Sequence, residues 1–339
     1  MPLFRRSFLA FAMVALFGCA FGAVGSAAEH AKIGVVRSTL SAPIYLAIDR
    51  GFFTDEGIEP ELIFFEAAQP IFVATVSGDL DFGVSGVTGG LYQFAIQDAL
   101  RFIAAHSREV PGFHGYGIFV SNAADAAGLK TLKDIPGHSG GVNTVGSSFH
   151  YSFALIAEKY GFDLKSVEIK PLQSNPAIGS AIAGGTVDVA IVSNVYGLGP
   201  VSRGQAKVLG WVGDETPWQL GVVAVSTKAA DTRSDYIQRF LRAYRKGARL
   251  YHDAVTGPDE RQKIGPDTEA MMAMVGKAIG QSTEEAMKAI AYADPDERLD
   301  AKDIAHQAAW YIQQGMIKGE FDADKIVDKR YVIPLSDKK

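Results

Sequence analysis

The sequence predicts an α/β protein in which mainly parallel sheets are covered by helices. Short apolar runs alternate with helical segments from residue 32 to residue 192, which is the pattern of repeated strand–helix–strand units. The chain has 339 residues, of which 47% are hydrophobic and 21% charged. This length and composition suit about two globular domains and argue against a disordered chain. A seven-residue pattern that occurs twice suggests that the two domains are related.

The first 28 residues are predicted to be a secretory signal peptide. Arg5 and Arg6 form a basic start, the run to Phe21 is mostly apolar, and small residues precede a cleavage after Ala28. The run is short for a membrane span, although an uncleaved anchor is the alternative. The general secretory route and the twin-arginine route both stay open, because the arginine pair resembles the twin-arginine motif. We therefore expect an exported protein.

Charge and cysteine content exclude several classes of function for the exported chain. Loss of Arg5 and Arg6 leaves 31 of the 33 basic residues against 38 acidic residues, so the net charge changes from −5 to −7. A chain with this balance is not expected to bind nucleic acid. The single cysteine, Cys19, is lost with the signal peptide. We therefore expect no disulfide and no cysteine-based zinc or redox site. We also predict that the protein binds no metal and no other cofactor.

The individual elements follow from apolar runs and from residues that start or stop helices. Ser41 suits the N-cap of the first helix, Pro43 suits its first turn, and Gly51 suits its end. The predicted strands are 32–36, 62–65, 82–84, 100–105, 116–120, 167–171, 187–192, 208–212 and 222–226. The predicted helices are 41–51, 69–77, 147–160 and 175–183, followed by an almost wholly helical tail from residue 231.

One pattern of seven residues occurs twice in the chain. Residues 78–84 read GDLDFGV and residues 185–191 read GTVDVAI, and each copy follows a helix that opens with an amide residue and a proline. Seven residues do not prove a duplication, but they suggest two lobes built from similar strand–helix–strand units. Asp81 and Asp188 are expected to hold turns or strand edges rather than a ligand.

Several segments resemble the signature of a family of periplasmic solute-binding proteins. Residues 43–58 (PIYLAIDRGFFTDEGI) resemble the P-x-Y-L-A-x-x-x-G-F-F-x-x-E-G-[LI] motif, and residues 77–83 resemble the S-G-x-x-D-x-G segment. Residues 132–137, 146–148 and 185–190 resemble three later steps. The branch is the one named for thiamine-pyrimidine synthesis, which includes binders of sulfonates, taurine and nitrate. The resemblance runs from about residue 32 to residue 227, and the tail fits only in being helical.

The resemblance implies a two-lobe periplasmic-binding-protein fold of type II, in which two crossing strands join lobes that close on a ligand. We expect lobe 1 to comprise residues 29–120 and 221–339, with the helical tail packed on it, and lobe 2 to comprise residues 121–220. The resemblance also implies a periplasmic monomer, and we predict that it is not an enzyme. Its partners would be a small-molecule ligand and the inner-membrane permease of an ABC importer.

Candidate ligand-binding residues lie in loops that follow strands or precede helices, because ligands of open α/β sheets bind beyond the carboxyl ends of strands. Arg37 follows the first strand and is expected to hold a carboxylate or sulfonate through two parallel hydrogen bonds, unless it forms a surface ion pair. Ser147 and Ser148 open a helix whose backbone amides can donate to an anion, although a plain capping role is the alternative. The candidates are Arg37, Ser38, Thr39, Ser41, Gln69, Ser85, Gly86, His106, Ser147, Ser148, Phe149, Ser193 and Asn194.

The expected ligand is a small organic anion, either a sulfonate or an aromatic carboxylate. The first alternative is a neutral or cationic pyrimidine-type thiamine precursor, which an excess of acids in the cleft would favour. The second alternative is an enzyme on the same fold, either a pyrimidine synthase or a menaquinone-pathway lyase. The export signal and the lack of a phosphate-loop or H-E-x-x-H motif argue against an enzyme, and the glycine-rich stretch 137–141 (GHSGG) is expected to make a tight turn into a strand. A ligand sensor that docks on a receptor is the third alternative.

Overall fold

The computed structural model describes residues 28–335. The predicted signal peptide, residues 1–28, therefore lies outside the described residues except for Ala28. Within the described range, no helix is both long enough and apolar enough to cross a membrane.

Two five-stranded sheets with the same topology form the protein, with strand orders β2-β1-β3-β10-β4 and β7-β6-β8-β5-β9. In each sheet three neighbouring strands are parallel, the fourth runs antiparallel to them, and the outermost strand returns to the first direction. This arrangement confirms the predicted α/β class with mainly parallel sheets. The strands are β1 (Glu29–Val36), β2 (Ile58–Phe65), β3 (Phe82–Gly86), β4 (Leu100–Glu109), β5 (Tyr116–Ser121), β6 (Ser139–Val142), β7 (Glu168–Pro171), β8 (Val189–Ser193), β9 (Ala206–Trp211) and β10 (Trp218–Ser226).

Helices cover both sheets and make up most of the tail. The helices are α1 (Ala42–Asp49), α2 (Phe52–Asp55), α3 (Ala68–Ser77), α4 (Gly89–Ile96), α5 (Asn122–Ala126), α6 (Ser148–Tyr160), α7 (Asn175–Ala183), α8 (Asn194–Ser202), α9 (Val212–Glu215), α10 (Thr227–Thr232), α11 (Ser234–Val255), α12 (Pro266–Ile279), α13 (Thr283–Met287), α14 (Ala301–Gln313) and α15 (Ala323–Ile326). Our predictions omitted the short helices α2, α5 and α9 and the longer helices α4 and α8. The helices α4 and α8 are rich in glycine, and α8 also contains Pro200, so helix propensity does not reveal them.

Sheet membership divides the chain a few residues away from the predicted lobe boundaries. We expected lobe 1 to run to residue 120, but β5 pairs with β8 and β9 in the second sheet. We expected lobe 2 to run to residue 220, but β10 starts at Trp218 in the first sheet. The apolar runs of neighbouring strands look alike in the sequence, so they do not reveal which sheet a strand joins. We use lobe 1 for the first sheet with its helices and the tail, and lobe 2 for the second sheet with α5 to α9.

The repeated seven-residue pattern does the same structural job in both lobes. The Asp81 carboxylate accepts a hydrogen bond from the amide of Lys32 at 3.0 Å, and the Asp188 carboxylate accepts one from the amide of Ser139 at 2.8 Å. The backbone amides of the two aspartates donate in return to the carbonyls of Lys32 and Ser139. Asp81 therefore joins the turn before β3 to the middle of β1, and Asp188 joins the turn before β8 to the start of β6. This matches the expected role at a strand edge.

The long helix α11 fastens the tail to lobe 1. Phe240 of α11 stacks on Phe82 of β3 with ring centroids 3.7 Å apart. Farther along, α11 crosses α1 at Gly247, where an added Cβ would lie 2.2 Å from the carbonyl oxygen of Pro43. Only glycine allows the two helix backbones to approach this closely. The tail therefore belongs structurally to lobe 1, as the sequence predicted.

Candidate functional site

A cleft with roughly 620 Å³ of free space, including its open mouth, lies where the two sheets meet. Its walls come from the loops after β1, β2, β3 and β6 and from the first residues of the helices that follow. These are the carboxyl ends of parallel strands, where open α/β sheets bind ligands. Its lining residues are Val36, Ser38, Leu40, Ser41, Glu66, Ala67, Ala68, Gln69, Ser85, Gly86, Thr88, His106, Tyr116, Asn143, Thr144, Ser147, Ser148, Phe149, Asn175 and Leu220.

The structure brings most of the predicted site residues together in this cleft. Lobe 1 and lobe 2 both contribute, as a cleft between two lobes requires. The predicted residues that line it are Ser38, Ser41, Gln69, Ser85, Gly86, His106, Ser147, Ser148 and Phe149.

Arg37, Thr39, Ser193 and Asn194 do not line the cleft. The guanidinium of Arg37 lies 4.1 Å from the ring centroid of Phe64 on the neighbouring strand, and Arg37 shares a smaller recess with Ser193. An exposed arginine beside an aromatic ring gains a cation–π contact there. The structure therefore does not place this guanidinium among the groups that surround the cleft.

Thr39 and Asn194 have structural partners instead. The Thr39 hydroxyl donates to the carbonyl of Ala289 at 2.7 Å, which ties the loop after β1 to the tail. The Asn194 side chain donates to the carbonyl of His114, which ties the start of α8 to the segment that enters β5. Both side chains are buried. Their hydrogen bonds stabilise the fold around the cleft and leave the cleft itself to other residues.

Two of the helices that begin at the cleft, α3 and α6, differ in how their first amides are paired. Ala67 is the N-cap of α3 and has no side-chain oxygen, so the amides of Ala68 and Gln69 receive no cap. In contrast, the Ser147 hydroxyl caps α6 by accepting from the amide of His150 at 3.4 Å. The start of α3 therefore offers unpaired amides and a partial positive charge to the cleft.

His106 and Ser41 form part of the buried wall of the cleft. The His106 Nε2 and the Ser41 Oγ lie 3.1 Å apart, the spacing of a nucleophile and its base. Burial, however, lowers the pKa of His106 to about 3. The Nδ1 of the same ring lies 3.4 Å from the Ser107 hydroxyl, so a hydroxyl rather than a carboxylate orients it. The pair therefore offers a neutral hydrogen-bonding surface and not an effective general base.

Aromatic rings form one side of the cleft. The rings of Tyr116 and Phe149 lie 5.1 Å apart with their planes tilted by 60°. Burial raises the pKa of Tyr116, and the nearby Glu109 carboxylate adds to the effect. The phenol is therefore neutral and can donate a hydrogen bond. Such rings suit a flat ligand.

Glu66 is the only lining residue with a formal charge near neutral pH within the described range, and its side chain is exposed. The prediction from the sequence omitted Glu66, Thr88 and Asn143. All three follow strands, so a search of every loop after a strand would have found them. A cleft without a lining arginine or lysine has to bind an anionic group through neutral donors.

The two lobes touch directly beside the cleft, at a place that we call the lobe contact. Here Thr88 and Ser147 pair as an isolated antiparallel bridge. The amide of Gly89 donates to the carbonyl of Gly146 at 3.0 Å. The lobe contact therefore joins the start of α4 in lobe 1 to the start of α6 in lobe 2.

Comparisons with known proteins agree with this architecture. A model of the family described as NMT1/THI5 like matches residues 38–260, while no curated protein matches the sequence. The periplasmic aliphatic sulphonate binding protein SsuA from Escherichia coli is similar with a TM-score of 0.70 at 17% identity, over 92% of this chain and 95% of that one. The periplasmic nitrate-binding protein NrtA from Synechocystis PCC 6803 gives 0.65 at 14% identity, over 89% and 85%. The desulfurization enzyme DSZB gives 0.59 at 15% identity, over 88% and 96%.

Proposed function

This chain belongs to the NMT1/THI5-like family, and we propose that it is the exported substrate-binding component of an ABC-type importer. The family match confirms the resemblance seen in the sequence. One observation carries the proposal: residues from both of two similar lobes line the cleft between them, and they include small polar side chains, aromatic rings and the uncapped start of α3. The ligand would stabilise the closed arrangement by contacting both lobes, and the permease would recognise that arrangement.

The proposed ligand is a small flat molecule that carries a hydrogen-bond acceptor, and our first candidate remains an organic anion. The uncapped start of α3 supports this choice, because its amides favour negative charge. Glu66 opposes it, but the exposed Glu66 carboxylate is screened by water, whereas Ala68 and Gln69 at the start of α3 line the cleft and are partly buried. The ligand-binding role of Arg37 stays a prediction. Its guanidinium lies over Phe64, and Arg37 does not line the cleft.

A pyrimidine-type thiamine precursor is the second candidate. Glu66 favours it, because this carboxylate attracts a cationic ring and no lining arginine or lysine within residues 28–335 repels one. An enzyme is a weaker candidate even though DSZB shares the fold. A histidine whose pKa lies near 3 is a poor base at neutral pH.

A thermal-shift screen of the protein without residues 1–28 tests the proposal. Alkanesulfonates, aromatic carboxylates, nitrate and pyrimidines are compared at equal concentration. A ligand present at a hundredfold excess over its Kd adds about 2.7 kcal/mol of stability, which raises Tm by several degrees. Turnover of the best compound, followed by mass spectrometry, would replace the binding proposal with an enzymatic one.

Glu66→Gln determines the charge of the ligand in the same assay. Removal of this carboxylate should strengthen binding of an anion about two- to fivefold and weaken binding of a cation by a similar factor, the scale of one exposed charge pair. Glu61→Gln, an exposed carboxylate on β2 that does not line the cleft, is the matched control. A charged ligand whose affinity is unchanged in Glu66→Gln would show that it sits away from this carboxylate.

A further inference from the structure

The helix α14 in the tail is joined to lobe 1 by buried hydrogen bonds. The side chain of Gln307 is fully buried, accepts from the Tyr92 hydroxyl at 2.8 Å and donates to the carbonyl of Gln219 at 2.8 Å. The Asp303 carboxylate accepts from the amide of Gln219 at 2.6 Å. Breaking these bonds would leave buried polar groups unpaired, so α14 is expected to move with lobe 1.

The same helix contacts lobe 2 chiefly through aromatic rings. The Trp310 ring lies 5.3 Å from the ring of His150 and 5.2 Å from the ring of Tyr151, edge-on to both. The Tyr311 ring stacks near Tyr151 at 6.1 Å. His150 and Tyr151 both belong to α6, the helix whose start lines the cleft. Ring contacts of this kind can separate and form again as two bodies move apart and together.

The Tyr311 ring and the segment after α14 also cover the lobe contact. A Cβ added at Gly89 would lie 3.2 Å from the Tyr311 ring, and one added at Gly146 would lie 3.6 Å from the Met316 sulfur. The two glycines are the residues that exchange the hydrogen bond across the lobes. Neither Trp310 nor Tyr311 lines the cleft. The tail therefore packs against the lobe contact from outside the ligand site.

In the arrangement seen here, the burial of polar atoms in this cluster of aromatic rings costs free energy. Within the described part of the chain, the hydroxyls of Tyr151 and Tyr311 and the indole nitrogen of Trp218 are buried without a hydrogen-bond partner. Separation of the lobes would admit water to these groups, which offsets the loss of ring contacts. Because the burial of these polar groups opposes the favourable ring contacts, the contact between α14 and lobe 2 can form and break reversibly.

We propose that α14 is a closure element: carried by lobe 1, it presents Trp310 and Tyr311 to α6 of lobe 2 and stabilises the closed arrangement from outside the cleft. Because the start of α6 lines the cleft, the same contact positions Ser147 and Ser148. The effect on ligand affinity rests on the proposed function. The effect on closure does not, and it can be measured without a ligand.

A cysteine pair across the lobe contact reports closure in the ligand-free protein. Thr88→Cys combined with Ser147→Cys places the two residues opposite each other in an antiparallel bridge, with a Cα spacing of about 4.5–5.5 Å that suits a disulfide. The chain after residue 28 has no other cysteine. The rate of disulfide formation at a fixed oxidant concentration then follows the closed population.

Trp310→Leu in this background removes the ring but keeps an apolar side chain, so the packing of α14 on lobe 1 should survive. We expect it to slow disulfide formation about three- to tenfold, the scale of one or two lost ring pairs. Gln313→Ala, an exposed site on the same helix, should leave the rate unchanged. An unchanged rate in Trp310→Leu overturns the proposal.

A second variant keeps the test decisive if Trp310→Leu fails to fold. Trp310→Phe retains a smaller ring, so about a twofold slowing is expected at an unchanged Tm. Equal rates in Trp310→Phe and the parent pair, with Trp310→Leu unfolded, would assign Trp310 to stability alone and would also overturn the proposal. Because no ligand is present, failure of the ligand screen leaves this result untouched.

Discussion

The two lobes share a strand order and an aspartate turn, yet α3 of lobe 1 and α6 of lobe 2 begin at the cleft differently. In lobe 1, α3 starts at Ala67 without a side-chain cap. In lobe 2, α6 starts at Ser147, whose hydroxyl caps the helix and whose backbone also takes part in the lobe contact. The difference indicates that the two helix starts have different roles. At the start of α6 the amide of His150 is already paired with the Ser147 hydroxyl, while no side chain caps the amides of α3, which leaves them for a ligand.

Substitutions in the shared aspartate turn should give the largest changes in the free energy of unfolding. They test whether the turns of the two lobes contribute equally to stability. Asp188→Ala removes hydrogen bonds from the amide and the hydroxyl of Ser139, both at 2.8 Å. Asp81→Ala removes one from the amide of Lys32 and one from the guanidinium of Arg233. Each change should lower the free energy of unfolding by about 2 kcal/mol, because hydrogen bonds to a charged group are lost. Denaturant unfolding measures both.

Similar losses in the two variants would support equivalent turns. A loss below about 0.5 kcal/mol in either one, the level of an ordinary surface substitution, would show that its aspartate is dispensable. Asp79→Ala, an exposed aspartate two residues before Asp81, is the control for the lobe 1 turn.

The contribution of Asp188 should depend on pH in a defined direction. Burial alone would raise the pKa of this carboxyl, but the hydrogen bonds from Ser139 and the charge of His138 outweigh it and hold the pKa below its usual range. A carboxyl with a lowered pKa in the folded state adds stability above its unfolded value and loses it as the pH falls through the folded value. The stability difference between the wild type and Asp188→Asn should therefore persist from pH 7 to about pH 5 and shrink below about pH 4.

Unfolding midpoints measured from pH 7 to pH 3 check this dependence. A difference that stays constant down to pH 3 would mean that Asp188 acts through its shape rather than its charge. The predicted cause would then be wrong even if the turn is important.

The sequence was sufficient for features that local chemistry determines. Apolar runs indicated the strands, and Ser41 and Pro43 located the start of the first helix to within one residue. The rule that ligands bind beyond the carboxyl ends of strands found most of the polar cleft residues. Helices α4 and α8 were missed because packing stabilises them against poor propensity. A Cβ at Gly197 of α8, for example, would lie 2.1 Å from the ring of Phe119.

The direction of a side chain and its distant partners could not be predicted. Arg37 follows a strand as expected, but the adjacent strand places Phe64 under its guanidinium. Thr39 is held by a carbonyl 250 residues away in the tail. The contact of Trp310 with lobe 2 has the same character, since no local pattern joins residue 310 to residue 150. Such pairings arise only when the whole chain is folded.

The smallest expected effect tests the difference between the two helix starts most directly. Ala67 has extended backbone angles (φ −147°, ψ 160°), which suit a serine N-cap. A serine there can accept only from Gln69, because the next residue, Pro70, has no amide hydrogen. Ala67→Ser should therefore add only about 0.5 kcal/mol of stability, at the low end for caps. Ser147→Ala, the reciprocal change in lobe 2, should remove about 1 kcal/mol.

The same substitution should act in the opposite direction on the ligand. If the amide of Gln69 is reserved for the ligand, a serine hydroxyl at position 67 competes for it, and the Tm shift produced by the best compound of the screen should shrink although the protein itself is more stable. A more stable Ala67→Ser protein with an undiminished ligand shift would show that the bare start of α3 is not where the ligand binds. The start of α6 would then be the next site to test, and the ligand-induced Tm shift of Ser147→Ala would test it.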